Sequence, residues 1–378
     1  MTEQEAYSRW EHYFMRSGSD CSVFWMNYLT GRNRKVLFIL GLGFDPRMCL
    51  GLQMILTADP NCVKECLLIR YNEGSNSPSL DYQGRVDANV ADIQNLLNGK
   101  GIIREADVPM MSTNGRRVGS RQASNAIEED IISKFDDIVV DISSMPRGLY
   151  FPIISKLLLL LDTLTGNGVS STTANLHVLV AEEVSIDEKI QEKGIDDQAD
   201  YMFGFSSDLV RESTANAPKI WIPVLGEGKN EQLIRIYDHV RPDEICPVFP
   251  SPSVNPRRAD NLVQEYRKLL FDRLQVEPSN FIYASEWNPF EVYRQIRMTI
   301  ERYNSALEAL GKCKVVVSVL SNKLLSVGAL LAAYEAKQNN YMIGISHVET
   351  HGYQIHGDIV SCNPKLYSLW IAGECYYA

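Results

Sequence analysis

Residues 314–336 of this chain read KVVVSVLSNKLLSVGALLAAYEA, and this stretch decides the fold. A short β-branched run is followed by a polar break at Ser321, Asn322 and Lys323, and then by an apolar segment long enough for a helix. The pattern predicts a buried strand, a turn and a helix. Similar units occur at residues 35–56, 137–161 and 219–240. This alternation predicts an α/β fold with mainly parallel sheets.

The two halves of the chain repeat the same order of strand, loop and helix. VLFILGLG corresponds to IWIPVLGEG, and DDIVVDISSMPRGLYF corresponds to CKVVVSVLSNKLLSVG. We expect two Rossmann-like lobes, for which an internal duplication is the simplest account, although any parallel α/β chain repeats this alternation. The predicted parts are an N-terminal helical segment (1–30), a first lobe (31–184), a connector (185–217), and a second lobe with an aromatic C-terminal tail (218–378).

Composition limits the class of protein. The 378 residues are 45% hydrophobic and 22% charged, which is typical of a globular chain of one large or two ordinary domains. A net charge of −10 argues against a protein that wraps nucleic acid, although a local basic groove is compatible with it. No secretory signal pattern is visible at the N-terminus, and no apolar run is long enough to span a membrane, so we expect a cytoplasmic protein. The eight scattered cysteines predict reduced, mostly buried thiols.

The loops after the predicted strands are where we expect a ligand, because open parallel sheets bind ligands beyond the carboxyl ends of their strands. These loops offer glycine amides, hydroxyl groups, Asn side chains and cations, which suit phosphate or carboxylate groups. The candidate ligand-binding residues are Gly41, Gly43, Asp45, Arg47, Ser143, Ser144, Arg147, Gly226, Gly228, Lys229, Asn230, Ser321, Asn322 and Lys323.

Each of these loops also has a purely structural interpretation. Asp45 can cap a helix that begins at Pro46, and the two serines before Pro146 can do the same. With Arg147 and the helix dipole, those serines would instead form an anion pocket. The segment 110–124, with Arg116, Arg117 and Arg121, is predicted to be either a solvated surface loop or a basic loop that closes on an anion; the first is favoured.

Catalytic motifs are scarce. The chain has no P-loop, no G-x-S-x-G elbow, no H-E-x-x-H and no paired C-x-x-C. The acid–base candidates are Glu349, Asp141 and Glu227. Near the C-terminus, SHVETHGYQIHGD would allow Glu349 to act as a base and two histidines to hold a metal, but the spacing matches no standard metal site. Ordinary hydrogen bonds of these histidines are favoured, and we predict neither a metal nor a particular cofactor.

The segment SNKLLSVGALLAA, residues 321–333, resembles the second ligand-binding motif of CRISPR-associated Rossmann-fold (CARF) domains, with Lys323 in the position of the family's lysine. GLGFDPR resembles the loop after the first strand of such sensors. Where that family has Gly-Thr before the lysine, this chain has Ser321 and Asn322. The resemblance implies a dimeric nucleotide sensor in prokaryotic antiviral defence, and no nuclease motif is evident.

Together these observations predict a cytoplasmic sensor or regulatory protein that binds a nucleotide or another phosphorylated ligand and acts on a second subunit or a partner protein. Two alternatives remain open: an enzyme acting on a nucleotide-like substrate, such as a transferase or glycosidase, and an interaction scaffold without a small ligand. A methyltransferase is a further hypothesis, because VLFILGLG resembles the first motif of that fold. Arg70, however, stands where an acidic residue should end the second strand.

Overall fold

A computed structural model describes residues 8–74, 77–166, 174–206, 209, 216–357, 359 and 363–376. Its strands are β1 (Phe14–Ser17), β2 (Val36–Leu42), β3 (Val63–Asn72), β4 (Ile102–Pro109), β5 (Asp137–Asp141), β6 (Asn175–Glu182), β7 (Ile190–Glu192), β8 (Asp200–Tyr201), β9 (Lys219–Val224), β10 (Glu244–Ile245), β11 (Val248–Pro250), β12 (Ile282–Ala284), β13 (Lys314–Val319), β14 (Met342–His347), β15 (Tyr353–Ile355) and β16 (Lys365–Ala372).

Its α-helices are α1 (Ser19–Leu29), α2 (Leu50–Ala58), α3 (Gln83–Leu97), α4 (Gly119–Asn125), α5 (Arg147–Gly166), α6 (Val184–Asp187), α7 (Asn230–Val240), α8 (Arg258–Glu265), α9 (Pro289–Ala306) and α10 (Lys323–Gln338). Short 3₁₀ segments cover Pro46–Cys49, Pro78–Tyr82, Glu129–Ser133, Pro278–Asn280 and Glu308–Leu310, and a π-helical segment covers Lys268–Arg273. None of the helices in the described ranges is both long and apolar enough to cross a membrane.

The first sheet contains seven strands in the order β1-β16-β6-β5-β2-β3-β4. Strands β6, β5, β2, β3 and β4 run parallel to one another. Every residue of β2 is buried, as expected for a parallel strand that is covered on both faces. Strand β16 is antiparallel to both of its neighbours, β6 and β1.

The second sheet has the order β12-β11-β9-β13-β14-β8, with the short strand β10 also pairing with β9. All of its pairs are parallel except the edge pair of β14 with β8. Helix α10 is buried along most of its length, because its small residues allow close approach to α9. A Cβ added at Gly328 would lie 2.0 Å from the carbonyl oxygen of Pro289, so glycine is required where the two helices meet.

Both sheets share one arrangement of parallel strands. When these strands are numbered along the chain within each sheet, with the two-residue strand β10 left out, the spatial order is 3-2-1-4-5 in both. β2 and β9 are the first strands, and β5 and β13 are the fourth, which matches the sequence correspondence between the halves. The fold is therefore α/β with two Rossmann-like lobes, as predicted. In each sheet the strand order reverses between the first and fourth strands, so the loops after these strands flank the reversal point.

The chain does not divide as the sequence suggested. It forms two compact units, one of Met1–Glu11 with Ile195–Glu349 and the other of His12–Gly194 with Thr350–Ala378. Its position in the chain predicts that the aromatic tail belongs to the second lobe. Its strand β16 instead pairs with β6 of the first sheet, for example Ser368 opposite Leu179. Pairing of this kind depends on long-range hydrogen bonds that no local pattern encodes.

The N-terminal segment contributes the expected helix, α1, and also a strand, β1, that was not expected; residues 1–7 lie outside the described residues. Helix α1 buries Trp25 and Tyr28 against the first sheet. Tyr28 donates a hydrogen bond of 2.7 Å to Asp137 at the amino end of β5.

Cys62 and Cys66 are buried free thiols, and burial raises the pKa of Cys62 to about 12.

The amino ends of β5 and β6 carry a buried polar cluster around Asp137. Arg34 forms an ion pair of 2.5 Å with Asp137, and His177 Nε2 lies 3.4 Å from the same carboxylate. His177 is fully buried and also contacts the rings of Trp25 and Trp370. Burial lowers the pKa of His177, and Asp137 offsets this only in part. The cluster lies at the end of the sheet opposite the predicted ligand loops, which indicates a structural role.

Candidate functional site

In the first sheet, the loops after β2 and β5 are in close contact at the point where the strand order reverses. Ser144 Oγ donates a hydrogen bond of 2.6 Å to the carbonyl oxygen of Gly41. A Cβ at Gly41 would lie 2.4 Å from Cγ of Met145, so a larger residue would force the loops apart. At Gly43 a Cβ would lie 2.9 Å from the hydroxyl of Tyr71. The structure thus brings Gly41, Gly43 and Ser144 together as predicted.

Arg47 does not present an open guanidinium group to this crevice. Its Nε lies 3.0 Å and its Nη2 2.7 Å from the two carboxylate oxygens of Asp45, and its Nη1 lies 2.8 Å from Asp187 on α6. Burial opposes the charge of Arg47, but its hydrogen bonds and ion pairs with these carboxylates raise its pKa. Asp45 also accepts a hydrogen bond from the Arg47 amide, which confirms its predicted capping role. Nothing in the local sequence indicated Asp187.

Asp141 and Ser143 stabilise the loop after β5 from within. Asp141 Oδ1 accepts a hydrogen bond of 2.9 Å from the Ser143 amide, and Ser143 Oγ accepts one of 2.8 Å from the Ala181 amide. Both side chains are buried, with Asp141 1% exposed. A Cβ at Gly51 would lie 2.2 Å from Asp141 Oδ2, so α2 passes directly over this carboxylate. Asp141 is therefore poorly placed to act as an acid–base residue on a bound substrate.

A group of polar residues at the end of β3 was not among the predicted site residues. The strand extends to Asn72, beyond the expected end at Arg70, so the acidic residue Glu73 follows it directly. Glu73 accepts hydrogen bonds from Ser77 Oγ (2.6 Å) and Ser79 Oγ (2.7 Å). Arg70 is therefore not the last residue of the strand and does not speak against a methyltransferase. Glu73 is, however, already engaged by two hydroxyl groups.

A two-stranded ribbon of β7 and β15 lies against the loop that follows β3. The amide of Tyr353 donates to Ser79 Oγ at 3.2 Å, and the amide of Ile355 donates to Tyr82 Oη at 2.8 Å. Beside the ribbon is an open cleft of about 470 Å³. The cleft is lined by Ser77, Pro78, Leu80, Asp81, Lys193, Gly194 and His351.

Tyrosine hydroxyls and charged groups also meet near these loops. Tyr71 donates a hydrogen bond of 3.3 Å to the carbonyl oxygen of Ser144. Burial raises the pKa of Tyr71, with a further contribution from Glu73. Burial likewise raises the pKa of Tyr353, which interacts electrostatically with Arg147 at the start of α5. Residues 110–124 are not a solvated loop throughout: Arg117 donates to the carbonyl oxygen of Thr350 at 3.4 Å, and helix α4 begins at Gly119 and buries Ala123 and Ser124.

In the second sheet, the loops after β9 and β13 meet in the same way. A Cβ at Gly226 would lie 2.3 Å from the carbonyl oxygen of Leu320. The amides predicted to receive a ligand already have protein partners: the Gly228 amide donates to Glu265 at 2.8 Å, and the Lys229 amide donates to Tyr266 Oη at 2.9 Å. These two partners fix the loop by its backbone. A ligand would therefore be recognised here mainly by side chains.

An arginine between two carboxylates also occurs in this lobe. Arg258 makes two contacts of 2.6 Å with Glu227 and a further ion pair with Glu286. Partial burial raises the pKa of Glu227, but the hydrogen bond and charge of Arg258 outweigh it and lower the pKa below its usual value. Glu286 follows β12, and its carbonyl oxygen accepts a hydrogen bond of 3.2 Å from Asn322 Nδ2. The loops after β9, β12 and β13 are thereby connected.

Asn322 and Lys323 begin helix α10. Asn322 Oδ1 accepts a hydrogen bond of 2.9 Å from the Leu325 amide, so it acts as the N-cap. Lys323 is the first residue of the helix and is partly exposed, as is Ser321 before the cap. Asn230 begins α7, and its side-chain amide lies 3.4 Å from Glu265. The lysines and Asn230 therefore lie at the carboxyl end of the second sheet, as predicted.

The C-terminal histidines have different partners. His347 Nε2 lies 2.8 Å from Glu349 Oε1 at the end of β14, whereas His351 belongs to the cleft described above and His356 lies beside Gln354. No group of three or more His, Cys, Asp or Glu side chains within the described ranges is arranged to hold a metal. Of the predicted acid–base candidates, Glu349 is the one for which the structure shows a histidine partner.

No model of a known protein family matches the chain, and a search of curated proteins finds no significant match.

Proposed function

We propose that this protein is a sensor or regulatory protein that binds a nucleotide or another phosphorylated small molecule at the carboxyl ends of its parallel strands. One observation carries the proposal. In both lobes, the glycine-containing loop after the first strand meets the loop after the fourth strand at the point where the strand order reverses. Open α/β sheets bind ligands in such positions, because the chain diverges there and leaves a crevice.

The second lobe is the better candidate for the ligand. Lys229, Arg258 and Lys323 all lie at the carboxyl end of its sheet, and cations there favour phosphoryl groups. The acid–arginine–acid arrangement of Glu227, Arg258 and Glu286 supplies fixed polar groups that would orient a base or ribose. The net charge of −10 makes a small ligand a better fit than a long nucleic acid.

The wider role follows the resemblance to CARF domains and is part of the proposal. A sensor of this kind would act in the cytoplasm, within prokaryotic antiviral defence, through a second copy of the chain or a partner protein. Ligand binding would alter how those partners associate. The supporting features are the loop SNK at residues 321–323 and the small-residue helix α10 that follows it.

Titration of the protein with nucleotides and cyclic oligonucleotides tests this proposal. Calorimetry measures the binding affinity, and thermal unfolding measures the shift in melting temperature. We expect one ligand class to raise the melting temperature of the wild type, and Lys323→Gln to weaken its binding at least tenfold. The control is Lys312→Gln, because Lys312 is an exposed lysine just before the amino end of the same strand, β13. Equal binding by both variants would exclude Lys323 from the site, and the absence of binding by any nucleotide would favour an interaction scaffold.

The pair of His347 and Glu349 favours one second candidate function. A carboxylate that holds an imidazole at 2.8 Å is a common acid–base arrangement in enzymes. His347 is 8% exposed, and its Nδ1 has no hydrogen-bond partner among the described residues. The corresponding function is a transferase or glycosidase that acts on a nucleotide-like substrate, with this pair as its proton-transfer group.

A further inference from the structure

The ion pair between Arg47 and Asp187 has an unusual position. All three guanidinium nitrogens of Arg47 face carboxylates, two of them toward Asp45 and one toward Asp187. The Arg47 side chain is only 4% exposed, yet it lies in the loop after the first parallel strand of its sheet, beside the reversal of strand order. A buried cation at such a position is suited to hold an anionic ligand.

The two carboxylates around Arg47 differ in how firmly they are fixed. Asp45 is 10% exposed in its side chain, caps the following turn, and has its carbonyl oxygen bound by Asn89. Asp187 is the last residue of the four-residue helix α6; its side chain is 49% exposed and, among the described residues, forms one ion pair, with Arg47. Because about half of the Asp187 side chain is exposed, water can solvate this carboxylate when it leaves Arg47. Asp45 is therefore the permanent partner, and Asp187 is replaceable.

We propose that Asp187 occupies the position of a ligand's anionic group, and that a phosphoryl group replaces it on Nη1 of Arg47. A phosphoryl group carries more charge than a carboxylate and offers more acceptor oxygens, so it competes well for a guanidinium group. Asp45 keeps the arginine compensated while Asp187 moves away. This inference rests on the proposed function and adds a phosphoryl site in the first lobe.

Displacement of Asp187 from Arg47 by a phosphoryl group would also affect the ribbon of β7 and β15. Helix α6 ends at Asp187, and β7 begins three residues later. The ribbon is held by the hydrogen bonds from the Tyr353 and Ile355 amides to Ser79 and Tyr82. The chain passes from one compact unit to the other at residues 194–195, shortly after β7, and again at residues 349–350, shortly before β15. Ligand binding at Arg47 would thus act on the segments that connect the units.

Calorimetric titration with inorganic pyrophosphate at low salt tests the site directly. We expect Asp187→Asn to bind pyrophosphate roughly fivefold more tightly than the wild type, which corresponds to about 1 kcal/mol for removal of a half-exposed competitor. Glu188→Gln is the matched control, since it removes the same charge from the neighbouring exposed residue. It should bind as the wild type does. A second readout is faster hydrogen exchange of the Tyr353 and Ile355 amides when pyrophosphate is added.

The double variant Asp45→Asn with Arg47→Gln locates the binding. It removes both buried charges together, so neither is left uncompensated, and Asn keeps the capping oxygen. We expect it to abolish the gain produced by Asp187→Asn. Equal affinities of Asp187→Asn and Glu188→Gln, or no pyrophosphate binding by either, would overturn the inference. Because the proposed function is tested separately, with nucleotides and Lys323→Gln, nucleotide binding that persists in such a case would leave it standing.

Discussion

His347 Nε2 lies 2.8 Å from Glu349 Oε1 at the carboxyl end of β14, the fifth parallel strand of the second sheet. Substitution of Glu349 distinguishes a binding protein from an enzyme, because a base is needed for turnover and not for ligand binding. We expect Glu349→Gln to bind the nucleotide found by titration within about twofold of the wild type, since the amide keeps a hydrogen bond to the imidazole.

Product analysis after long incubation with that nucleotide separates the two functions. A sensor leaves the nucleotide intact with either protein. Conversion of the nucleotide by the wild type, reduced about 100-fold or more in Glu349→Gln, would establish the enzyme in place of the sensor. Glu188→Gln serves as the control for the lost charge, because Glu188 belongs to the other compact unit.

The buried His177 predicts a dependence of stability on pH. Burial lowers its pKa from the ordinary value of 6.5, so in acid the unfolded chain binds a proton that the native state does not. The free energy of unfolding should therefore fall as the pH drops below about 6.5, by at most about 1.4 kcal/mol per pH unit for this one group. His177→Phe, which keeps the ring contacts with Trp25 and Trp370, should flatten that slope.

Urea unfolding of the wild type and of His177→Phe between pH 5 and pH 8 measures this difference. A slope that is the same in both proteins would contradict the assignment to His177. The same slope should be measured for His239→Gln as a comparison. Burial also lowers the pKa of His239, but His239 belongs to the other compact unit.

Gly328 predicts the effect of a single methyl group between two helices. Its added Cβ would lie 2.0 Å from the carbonyl oxygen of Pro289, a backbone atom that cannot move away alone. Gly328→Ala should destabilise the protein by about 1–3 kcal/mol, although alanine is the better helix former. Gly84→Ala in α3 is the control, because no atom lies within 4 Å of its Cβ position, and it should stabilise by up to about 1 kcal/mol. Thermal melting of both variants checks the opposite signs.

The position of β16 predicts the result of a C-terminal truncation. Residues 365–372 lie between β6 and β1, so their removal leaves β6 with an unpaired edge and takes away the strand with which β1 pairs. A chain that ends at residue 363 should lose the cooperative melting of the first lobe and aggregate, whereas a chain that ends at residue 376 should melt as the wild type does. Wild-type melting of the shorter chain would contradict the observed topology.

Much of the fold was predictable from local patterns. The apolar runs of β2, β5, β9 and β13 are too short for helices, and their burial on both faces leaves no polar alternation. The capping roles of Asp45 and Asn322 also follow from short-range chemistry, since each side chain accepts an amide hydrogen bond within three residues. The placement of glycine loops at strand ends was correct for the same reason.

The partners of the site residues could not be predicted. Arg47 was expected to bind the anionic group of a ligand. Its guanidinium group instead forms ion pairs with Asp45 and with Asp187, which lies 140 positions further along the chain. The amides of Gly228 and Lys229 were expected to face a ligand, and they instead donate to α8 and to Tyr266 next to it. Contacts of this kind depend on how distant segments meet, and hydrophobic periodicity carries no information about that.

The sequence by itself determined the class of the fold, the repeated strand-loop-helix unit and the loops in which cations and glycines gather. These features arise from interactions between neighbours along the chain, such as the pleat of a strand, the turn of a helix and the cap of its first turn. Only the tertiary structure decided that both sheets share the order 3-2-1-4-5, that β16 returns to the first sheet, and that each lobe holds an arginine between two carboxylates. Those outcomes depend on strand pairing and charge compensation between segments that are distant in the sequence, where many arrangements satisfy the same local pattern.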